Sequence, residues 1–418
     1  MTTQYGTSPA RSKVVDVIRG FSLLGILMAN MLIFQYGIFG KDELHLYEPS
    51  FLDRISHDML KIFVEGSFMP IFTFIFGYGL IKMKQHLTAK GLKFKRTLVR
   101  RSLLLIILGF LHSFFLWEGD ILLFYGGISF FLLLFVNRRV KTLLIWAGLF
   151  LLLSLAITYG PEAASSQETR HMEQYVLDTM NVFSSGSFLD IMDHRMHADP
   201  LGLPGWVMIV VVLASPFMLA PMFLFGMAAA KRGRFQSPGR EKRLYLRAAL
   251  VMVPIGFTAK SAGVLLGPAH DWSSMLFSAG GQVLALGYLY ALAVMYAYSS
   301  KRSLLIRSFE AVGRMSLTQY LLQTVICIFI FYGFGLGLFG KLGVLPGVLL
   351  TLVIYALQAA LSLWTLKRFR CGPLEKLLRI FTYWSWSGRP GSPNMKSPSS
   401  RGIMDRIAHP PGQGAGQE

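Results

Sequence analysis

Residues 100–136 read RRSLLLIILGFLHSFFLWEGDILLFYGGISFFLLLFV. Two apolar runs, 99–117 and 120–136, are joined by a short polar turn that contains Glu118 and Asp120. About 20 mostly apolar residues in a helix cross the hydrocarbon core of a bilayer. The runs lack the alternating pattern of membrane barrel strands. Since only helices and closed barrels satisfy their backbone groups in lipid, the stretch predicts a helical hairpin in a membrane.

Similar apolar runs extend along the rest of the chain. Of the 418 residues, 53% are apolar and 15% are charged, whereas soluble domains average about 25% charged residues. This composition excludes a soluble enzyme, a disulfide-rich secreted scaffold and a disordered chain. We predict an all-α polytopic membrane protein with about ten transmembrane helices, at 14–36, 60–81, 99–117, 120–136, 141–159, 206–230, 245–267, 275–298, 311–338 and 342–366.

The distribution of Lys and Arg predicts the orientation. Of the 41 basic residues, 33 lie in or beside alternate connections, beginning with the segment before the first span, and only six lie in the opposite connections. Because basic loops stay in the cytoplasm, both termini are predicted to be cytoplasmic. The net charge of +19 is then a positive-inside signature, and a nucleic-acid partner is not needed to explain it.

Five segments follow from the spans and loops. Residues 1–13 are a cytoplasmic N-terminus, and 14–159 and 206–384 are two membrane halves of five helices each. Residues 160–205 are an extracytoplasmic loop, in which an amphipathic helix is expected near 173–183. Residues 385–418 are rich in Pro, Gly and Ser, which predicts a disordered cytoplasmic tail.

Ionisable residues inside spans are costly, so each is a functional candidate. Asp16 and Arg19 lie three residues apart on one face of the first span. They form either an ion pair that anchors the helix or a site in which Arg19 faces a cytoplasmic cavity and holds an anion. His112 is the only one of the nine histidines placed inside a span. With Glu118 or Asp120 to orient it, His112 is suited to act as a general base.

Lys260, near the middle of the seventh span, should face the bundle interior or a water-filled cavity. Gln319 and Gln323 share a helix face and are candidates either for hydrogen bonds between helices or for ligand contact. Glu65, near the outer end of the second span, is interpreted as a carboxylate at the membrane rim. The two cysteines, Cys327 and Cys371, fit neither a metal site nor a disulfide framework.

Three segments resemble the N-terminal half of the YeiB-like bacterial membrane proteins: VVDVIRGFSLLGILMANM, FMPIFTFIFGYGL and RRSLLLIILGFLHSFFLWEGDILLFYG. GRMSLTQYLLQT, ALQAALSLW and RCGPLEKLLR resemble the domain of unknown function numbered 418 that defines this family. The resemblance covers roughly residues 11–384. The chain departs from the family at Gln319, where an Asn is expected, and at Lys376, where an aromatic residue is usual.

The family is similar, more distantly, to membrane acyltransferases of the heparan-glucosaminide acetyltransferase type, which share the Asp-x-x-Arg-Gly opening seen here at Asp16–Gly20. The resemblance implies transfer of an acyl group from a cytoplasmic thioester, such as acyl-CoA, to a cell-surface or lipid-linked acceptor at the outer face. It also implies a bacterial cytoplasmic membrane and no permanently bound cofactor.

The first hypothesis is therefore a membrane acyltransferase. Arg19, with Arg100 or Arg101, would hold the phosphates of the donor, since the planar guanidinium of arginine suits phosphate. His112 would take the proton of the acceptor, while Asp16, Lys260, Gln319 and Gln323 are further candidates for substrate binding. The alternatives are a transporter that uses the intramembrane ionisable groups as a path and a structural or sensory protein without catalysis.

Overall fold

The computed structural model describes residues 12–161, 165–202, 204–300, 303–388 and 390, and the regular secondary structure within them is all helical. A short 3-10 helix lies at Leu44–Tyr47. The α-helices are α1 (Lys13–Tyr36), α2 (Phe51–Phe63), α3 (Phe68–Ala89), α4 (Phe94–Phe115), α5 (Leu122–Leu132), α6 (Val140–Ile157), α7 (Ser166–Ser185), α8 (Phe188–His197), α9 (Gly205–Lys231), α10 (Pro238–Leu266), α11 (Ser273–Tyr298), α12 (Leu304–Arg314), α13 (Ser316–Phe331), α14 (Val344–Arg368) and α15 (Pro373–Tyr383).

The described residues contain eight helices, or nine if a bent pair counts as one, that are long and apolar enough to cross a membrane. The all-α membrane fold is therefore confirmed, but three predicted spans need correction. The span predicted at 311–338 is divided into α12 and α13, which meet at an angle of 88°. The span predicted at 120–136 is an α-helix only over α5, and residues 133–135 continue it with tighter bonds to the third preceding carbonyl.

The second predicted span, 60–81, is also interrupted. Residues 64–67 separate α2 from α3, and Gly66 has a positive φ of 67°. Together α2 and α3 occupy Phe51–Ala89, so the apolar segment begins earlier and ends later than expected. Gly66, Pro70 and Gly77 in the sequence indicate a kinked helix here, and the structure shows a full break in which the distant Lys260 satisfies the Glu65 carbonyl.

Long apolar stripes remain on the outside of the bundle. On α14, Leu349, Val353 and Leu357 lie one turn apart and are each more than half exposed. Leu103, Ile107 and Phe110 form a similar stripe on α4. Such stripes are consistent with a lipid bilayer around the bundle.

Glycines allow the closest helix pairs to meet. A Cβ on Gly313 of α12 would lie 1.8 Å from the Asp16 carbonyl oxygen of α1, and one on Gly20 of α1 would lie 2.0 Å from the Phe309 carbonyl oxygen. Small residues at such crossings are typical of membrane helix packing. The α1–α12 crossing brings the start of the first span against the broken ninth span.

The connections separate onto two ends of the bundle. At one end, which we call the basic end, Ser12 donates to the Phe235 carbonyl and Lys84 bonds to Asn137. At the other end, Arg195 of α8 contacts the last carbonyls of α4. We call α7 and α8 the cap, and this end the capped end. The cap is longer than the single helix expected near 173–183.

The two ends correspond to the two sets of connections that the charge pattern distinguishes. The basic end is the one predicted to be cytoplasmic, and this orientation stays a prediction, as do the boundaries of the two five-helix halves. Of the predicted tail, residues 385–388 form a turn against α15, with Ser385 N–H donating to the Ile380 carbonyl. Residues 391–418 lie outside the described residues.

Candidate functional site

Three side chains meet near the capped end, and we call them the His112 cluster: His112, Asp120 and Thr324. His112 lies one turn before the end of α4, and its Nδ1 is 2.7 Å from Oδ1 of Asp120. Its Nε2 is 3.0 Å from Oγ1 of Thr324 on α13. His112 is 3% exposed, Thr324 is 1% exposed and the Asp120 side chain is 2% exposed. The cluster is therefore withdrawn from solvent.

The contacts of His112 indicate which ring nitrogen donates and which accepts a hydrogen bond. An ionised carboxylate only accepts hydrogen bonds, so Nδ1 donates to Asp120. The second oxygen of Asp120 accepts from the Leu123 N–H (2.7 Å), which holds the carboxylate in place at the start of α5. In the tautomer with its proton on Nδ1, the imidazole presents the lone pair of Nε2 to the Thr324 hydroxyl. This is the arrangement in which a base activates a hydroxyl group.

The structure distinguishes the two carboxylates that the sequence left open. Glu118 turns toward the cap, where its Oε2 is 2.8 Å from Nε of Arg195 in an ion pair. Arg195 also donates to the carbonyls of Ser113 and Leu116 (3.2 Å to Leu116) at the end of α4. Asp120 orients His112, and Glu118 holds the cap.

Aromatic contacts fasten the cap to the bundle. Phe183 of α7 packs on Tyr332 and Phe339, with ring centroids 4.9 and 5.2 Å apart. His194 lies 2.9 Å from the Thr179 hydroxyl, and burial lowers the pKa of His194. The cap therefore covers the end of α4 from which His112 projects.

A cavity of about 890 Å³ opens at the basic end, bounded by α1, α3, α4, α5, α12, α13 and α15. Its walls carry two carboxylates, Asp16 and Glu375, and a larger set of basic side chains: Lys13, Arg19, Lys82, His86, Arg101, Arg314 and Arg379. Since cationic groups outnumber carboxylates, the cavity favours an anionic ligand.

Arg19 is held at this cavity by its own helix and by α12. Its guanidinium lies 3.2 Å from Oδ1 of Asp16 and 3.5 Å from the Gly313 carbonyl oxygen. Both interpretations of this pair are compatible with the geometry, because the ion pair itself lines the cavity.

Arg100 and Arg101, which the sequence could not separate, point to different places. Arg101 lines the cavity, with its guanidinium 6.0 Å from the centroid of the Phe76 ring. Arg100 lies over the Trp384 ring at 5.2 Å and is not among the residues that line the cavity. The structure thus brings Arg101, and not Arg100, together with Arg19.

The inner part of the cavity is apolar and is bounded by Leu105, Ile121, Tyr125 and Tyr320. The Tyr320 ring centroid is 5.5 Å from that of His112, and its hydroxyl accepts from the Ile121 N–H at 3.3 Å. Tyr320 therefore separates the cavity from the His112 cluster. The sequence suggested no role for Tyr320 or Thr324, although they lie four residues apart on one face of the helix that contains Gln319 and Gln323.

Glu375 supports the broken span at the cavity wall. Its Oε1 accepts from the N–H groups of Leu317 (2.7 Å) and Thr318 (3.1 Å), and its Oε2 accepts from the Thr318 hydroxyl (2.7 Å). These bonds satisfy donors at the start of α13 that have no partner within the helix. The sequence does not identify this pairing, since Glu375 is 57 residues from Thr318 in sequence.

Lys260 is buried away from the cavity. Its Nζ donates to the Glu65 carbonyl and to Oγ of Ser67 (3.2 Å), and it lies 4.6 Å from the centroid of the Phe277 ring. The Glu65 carboxylate pairs with Lys41 at 2.6 Å. Lys260 therefore satisfies the interrupted backbone between α2 and α3, and the cavity geometry gives it no contact with a ligand there.

Gln319 and Gln323 join α13 to α14. Gln319 donates to the Ser362 hydroxyl at 2.7 Å, and Gln323 donates to Oε1 of Gln358 at 3.0 Å. Gln358 donates in turn to the Gln319 carbonyl (3.1 Å). Of the two interpretations, the structure favours hydrogen bonds between helices, and neither glutamine lines the cavity.

Comparisons with known proteins find similar chains in bacteria. A family model described as "Protein of unknown function (DUF418)" matches residues 229–385. The uncharacterized protein YxaH of Bacillus subtilis (strain 168) is 34% identical over 389 residues, which cover 90% of this chain and 95% of the relative. The uncharacterized protein YeiB of Escherichia coli (strain K12) is 28% identical over 402 residues, covering 89% and 96%. No solved structure matches the chain.

Proposed function

The chain belongs to the YeiB-like DUF418 family, and we propose that it is an acyltransferase of a bacterial cytoplasmic membrane. It would transfer an acyl group from a cytoplasmic thioester to an acceptor at the outer face. One observation carries the proposal: a basic cavity at one end of the bundle extends inward to Tyr320, whose ring packs against the His112 cluster.

The proposed donor is an acyl-CoA. Its phosphates would bind among the arginines of the cavity, where the planar guanidinium groups of Arg19 and Arg101 make paired hydrogen bonds to phosphate oxygens. Its pantetheine arm and acyl group would extend along the apolar inner wall toward Tyr320. The cavity shortens the path between Arg19 and His112, which the sequence places near opposite faces of the membrane.

His112 is the proposed base. Asp120 holds the proton on Nδ1, so Nε2 is available to accept a proton from a hydroxyl group during acyl transfer. The acceptor would be a cell-surface or lipid-linked molecule that reaches the cluster from the capped end. Arg195 and the cap cover that approach, so the cap would have to move when the acceptor enters.

A transporter is the second candidate, and the interrupted helices favour it. Both α2–α3 and α12–α13 are interrupted within the apolar segments, as are the substrate-binding helices of many transporters. The two candidates differ in one product: an acyltransferase breaks the thioester bond of its donor, whereas a transporter returns its substrate unchanged.

The decisive experiment uses the adjacent pair Arg101 and Arg100. We expect the purified protein in detergent to bind acetyl-CoA in equilibrium dialysis. Arg101→Gln should weaken binding about 10- to 100-fold, since a hydrogen bond to a charged group contributes about 1.5–3 kcal/mol. Arg100→Gln is the matched control and should leave the affinity unchanged.

The amount of free coenzyme A released from acetyl-CoA, measured by chromatography, then distinguishes an enzyme from a transporter. Equal effects of the two arginine substitutions would disprove the assigned cavity. Binding without thioester cleavage in the presence of membrane extracts would favour transport.

A further inference from the structure

We infer that Thr324 is the nucleophile of this site and carries the acyl group as an ester between donor and acceptor. The inference rests on the proposed acyltransferase function and adds a covalent intermediate to it. It assigns a reacting atom, Thr324 Oγ1, to a residue that the sequence did not single out.

The Thr324 hydroxyl differs from other buried threonine hydroxyls of the bundle in its hydrogen-bond partner. A threonine hydroxyl has one proton to donate. Buried threonines in this bundle commonly donate it to their own helix, as Thr351 does to the Gly347 carbonyl (3.0 Å) and Thr73 to the Pro70 carbonyl (2.9 Å). Thr324 instead lies 3.0 Å from Nε2 of His112, a residue 212 positions away in sequence. With Nδ1 of His112 donating to Asp120, Nε2 accepts the Thr324 proton.

The position of the Thr324 hydroxyl relative to the cavity also favours this role. Tyr320, one turn before Thr324 on α13, bounds the cavity at the basic end. Thr324 therefore lies just beyond the point that a thioester in the cavity would reach once the Tyr320 ring moves aside. On the other side, the cluster adjoins the end of α4 beneath the cap. An acyl ester at Thr324 would let donor and acceptor react in turn from opposite ends without meeting.

The chemistry balances without another reactant. Oγ1 of Thr324 attacks the thioester carbonyl carbon while Nε2 of His112 takes the hydroxyl proton. The C–S bond breaks, the sulfur leaves as the thiol with the proton that His112 returns, and an ester joins the acyl group to Thr324. The acceptor hydroxyl then loses its proton to His112 and attacks the ester, and the proton returns to Thr324.

Asp120 stabilises the imidazolium in both steps through its bond to Nδ1. It is a positioning residue, whereas His112 and Thr324 contact the reacting atoms.

The experiment uses the full chain in detergent with acetyl-CoA labelled in the acetyl group and no acceptor. Without acceptor, the first half-reaction should stop after a burst of free coenzyme A equal in amount to the enzyme. After denaturation, trypsin releases the segment 315–341, and mass spectrometry locates the acetyl group within it. We expect the acetyl group on Thr324.

Three variants test the assignment. Thr324→Val keeps the shape, removes the hydroxyl, and should abolish the burst and lower steady-state transfer about 10²-fold or more. Thr324→Ser keeps a hydroxyl and should carry the acetyl group at the same position. Thr351→Val is the matched control, because it removes a buried hydroxyl that bonds only within α14, and it should keep the burst.

The outcomes separate this inference from the proposed function. Transfer at the wild-type rate by Thr324→Val, or an acetyl group on another residue of Thr324→Ser, would show that Thr324 is not the nucleophile. Neither result would contradict the proposed acyltransferase function. If the unmodified chain neither binds nor cleaves acetyl-CoA, the proposed function itself fails. Should Thr324→Val not fold, as judged by gel filtration, the position of the label in Thr324→Ser decides the matter.

Discussion

The cavity at the basic end and the His112 cluster near the capped end have opposite properties although one tyrosine ring separates them. The cavity is wide, lined by cationic side chains and reachable from one end, and the Arg19 side chain in its wall is 24% exposed. The cluster is small and nearly inaccessible, and all three of its polar side chains contact one another or backbone.

The difference indicates a division of roles. A partly hydrated pocket with excess positive charge can bind an anion strongly without holding a reactive group. A buried histidine with both nitrogens engaged binds little, but it can transfer protons in an environment that excludes water. Under the proposed function, the cavity would bind the donor and the cluster would carry out the proton transfers, and the predictions test this separation and the packing around it.

The first prediction concerns which end faces the cytoplasm, and its outcome is all or none. We expect reporter fusions within 90–93 and 232–237 to report the cytoplasm, and fusions within 166–197 to report the exterior, because the basic residues lie at the former end. A cytoplasmic cap would reverse the comparison and place the cavity outside.

The second prediction is loss of turnover at His112. His112→Ala and His112→Gln should lower acyl transfer about 10²–10⁴-fold, because a positioned base is lost. Acetyl-CoA affinity, measured by equilibrium dialysis, should stay near the wild-type value. His171→Ala, on the exposed face of the cap, is the control and should change neither quantity. Full transfer by both His112 variants would remove the catalytic role from the cluster.

The third prediction separates the two carboxylates of the hairpin turn. Asp120→Asn should lower transfer about 10²-fold or more, since the amide no longer holds His112 in the required tautomer. Glu118→Gln should leave the rate within a few-fold of wild type, because Glu118 contacts Arg195 and not His112. Rates measured on the two variants in parallel provide the test, and equal losses would contradict it.

Parts of this arrangement could be predicted from sequence because they depend on local composition. The apolar runs, the α4–α5 hairpin and the alternation of basic connections each follow from neighbouring residues. Gly66 and Pro70 indicate a kink in the second span, but the break in the ninth span and the groups that stabilise both interruptions, Lys260 and Glu375, do not follow from neighbouring residues.

The same limit applies within the candidate site. Glu118 and Asp120 are two residues apart in one turn, and their roles differ because Arg195, far along the chain, pairs with one of them. Arg100 and Arg101 are adjacent, and only helix rotation determines which one lines the cavity. Sequence reasoning grouped His112 with Asp120 in the hairpin but had no signal for Thr324, which meets His112 through a contact between α4 and α13.

The fourth prediction concerns the attachment of the cap. Arg195→Ala should lower the free energy of unfolding by about 1–3 kcal/mol, because Glu118 and two helix carbonyls lose a charged donor. Limited proteolysis between α8 and α9 should become faster. Arg170→Ala, exposed on α7, is the matched control and should have no measurable effect on either quantity. An unchanged melting curve for Arg195→Ala would show that aromatic packing alone holds the cap.

The smallest expected effect concerns Gln323, which belongs to neither the cavity nor the cluster. Gln323→Leu removes a hydrogen bond to Gln358, and such bonds between membrane helices contribute about 0.6 kcal/mol on average. The double variant with Gln358→Leu should be no less stable than the sum of the two single changes predicts, because neither change then leaves the other glutamine without its partner. Acetyl-CoA affinity should be unchanged in all three, since Gln323 does not line the cavity. Unfolding curves and equilibrium dialysis on the same preparations measure the stability and the acetyl-CoA affinity. A tenfold loss of affinity in Gln323→Leu would indicate that Gln323 contacts the ligand.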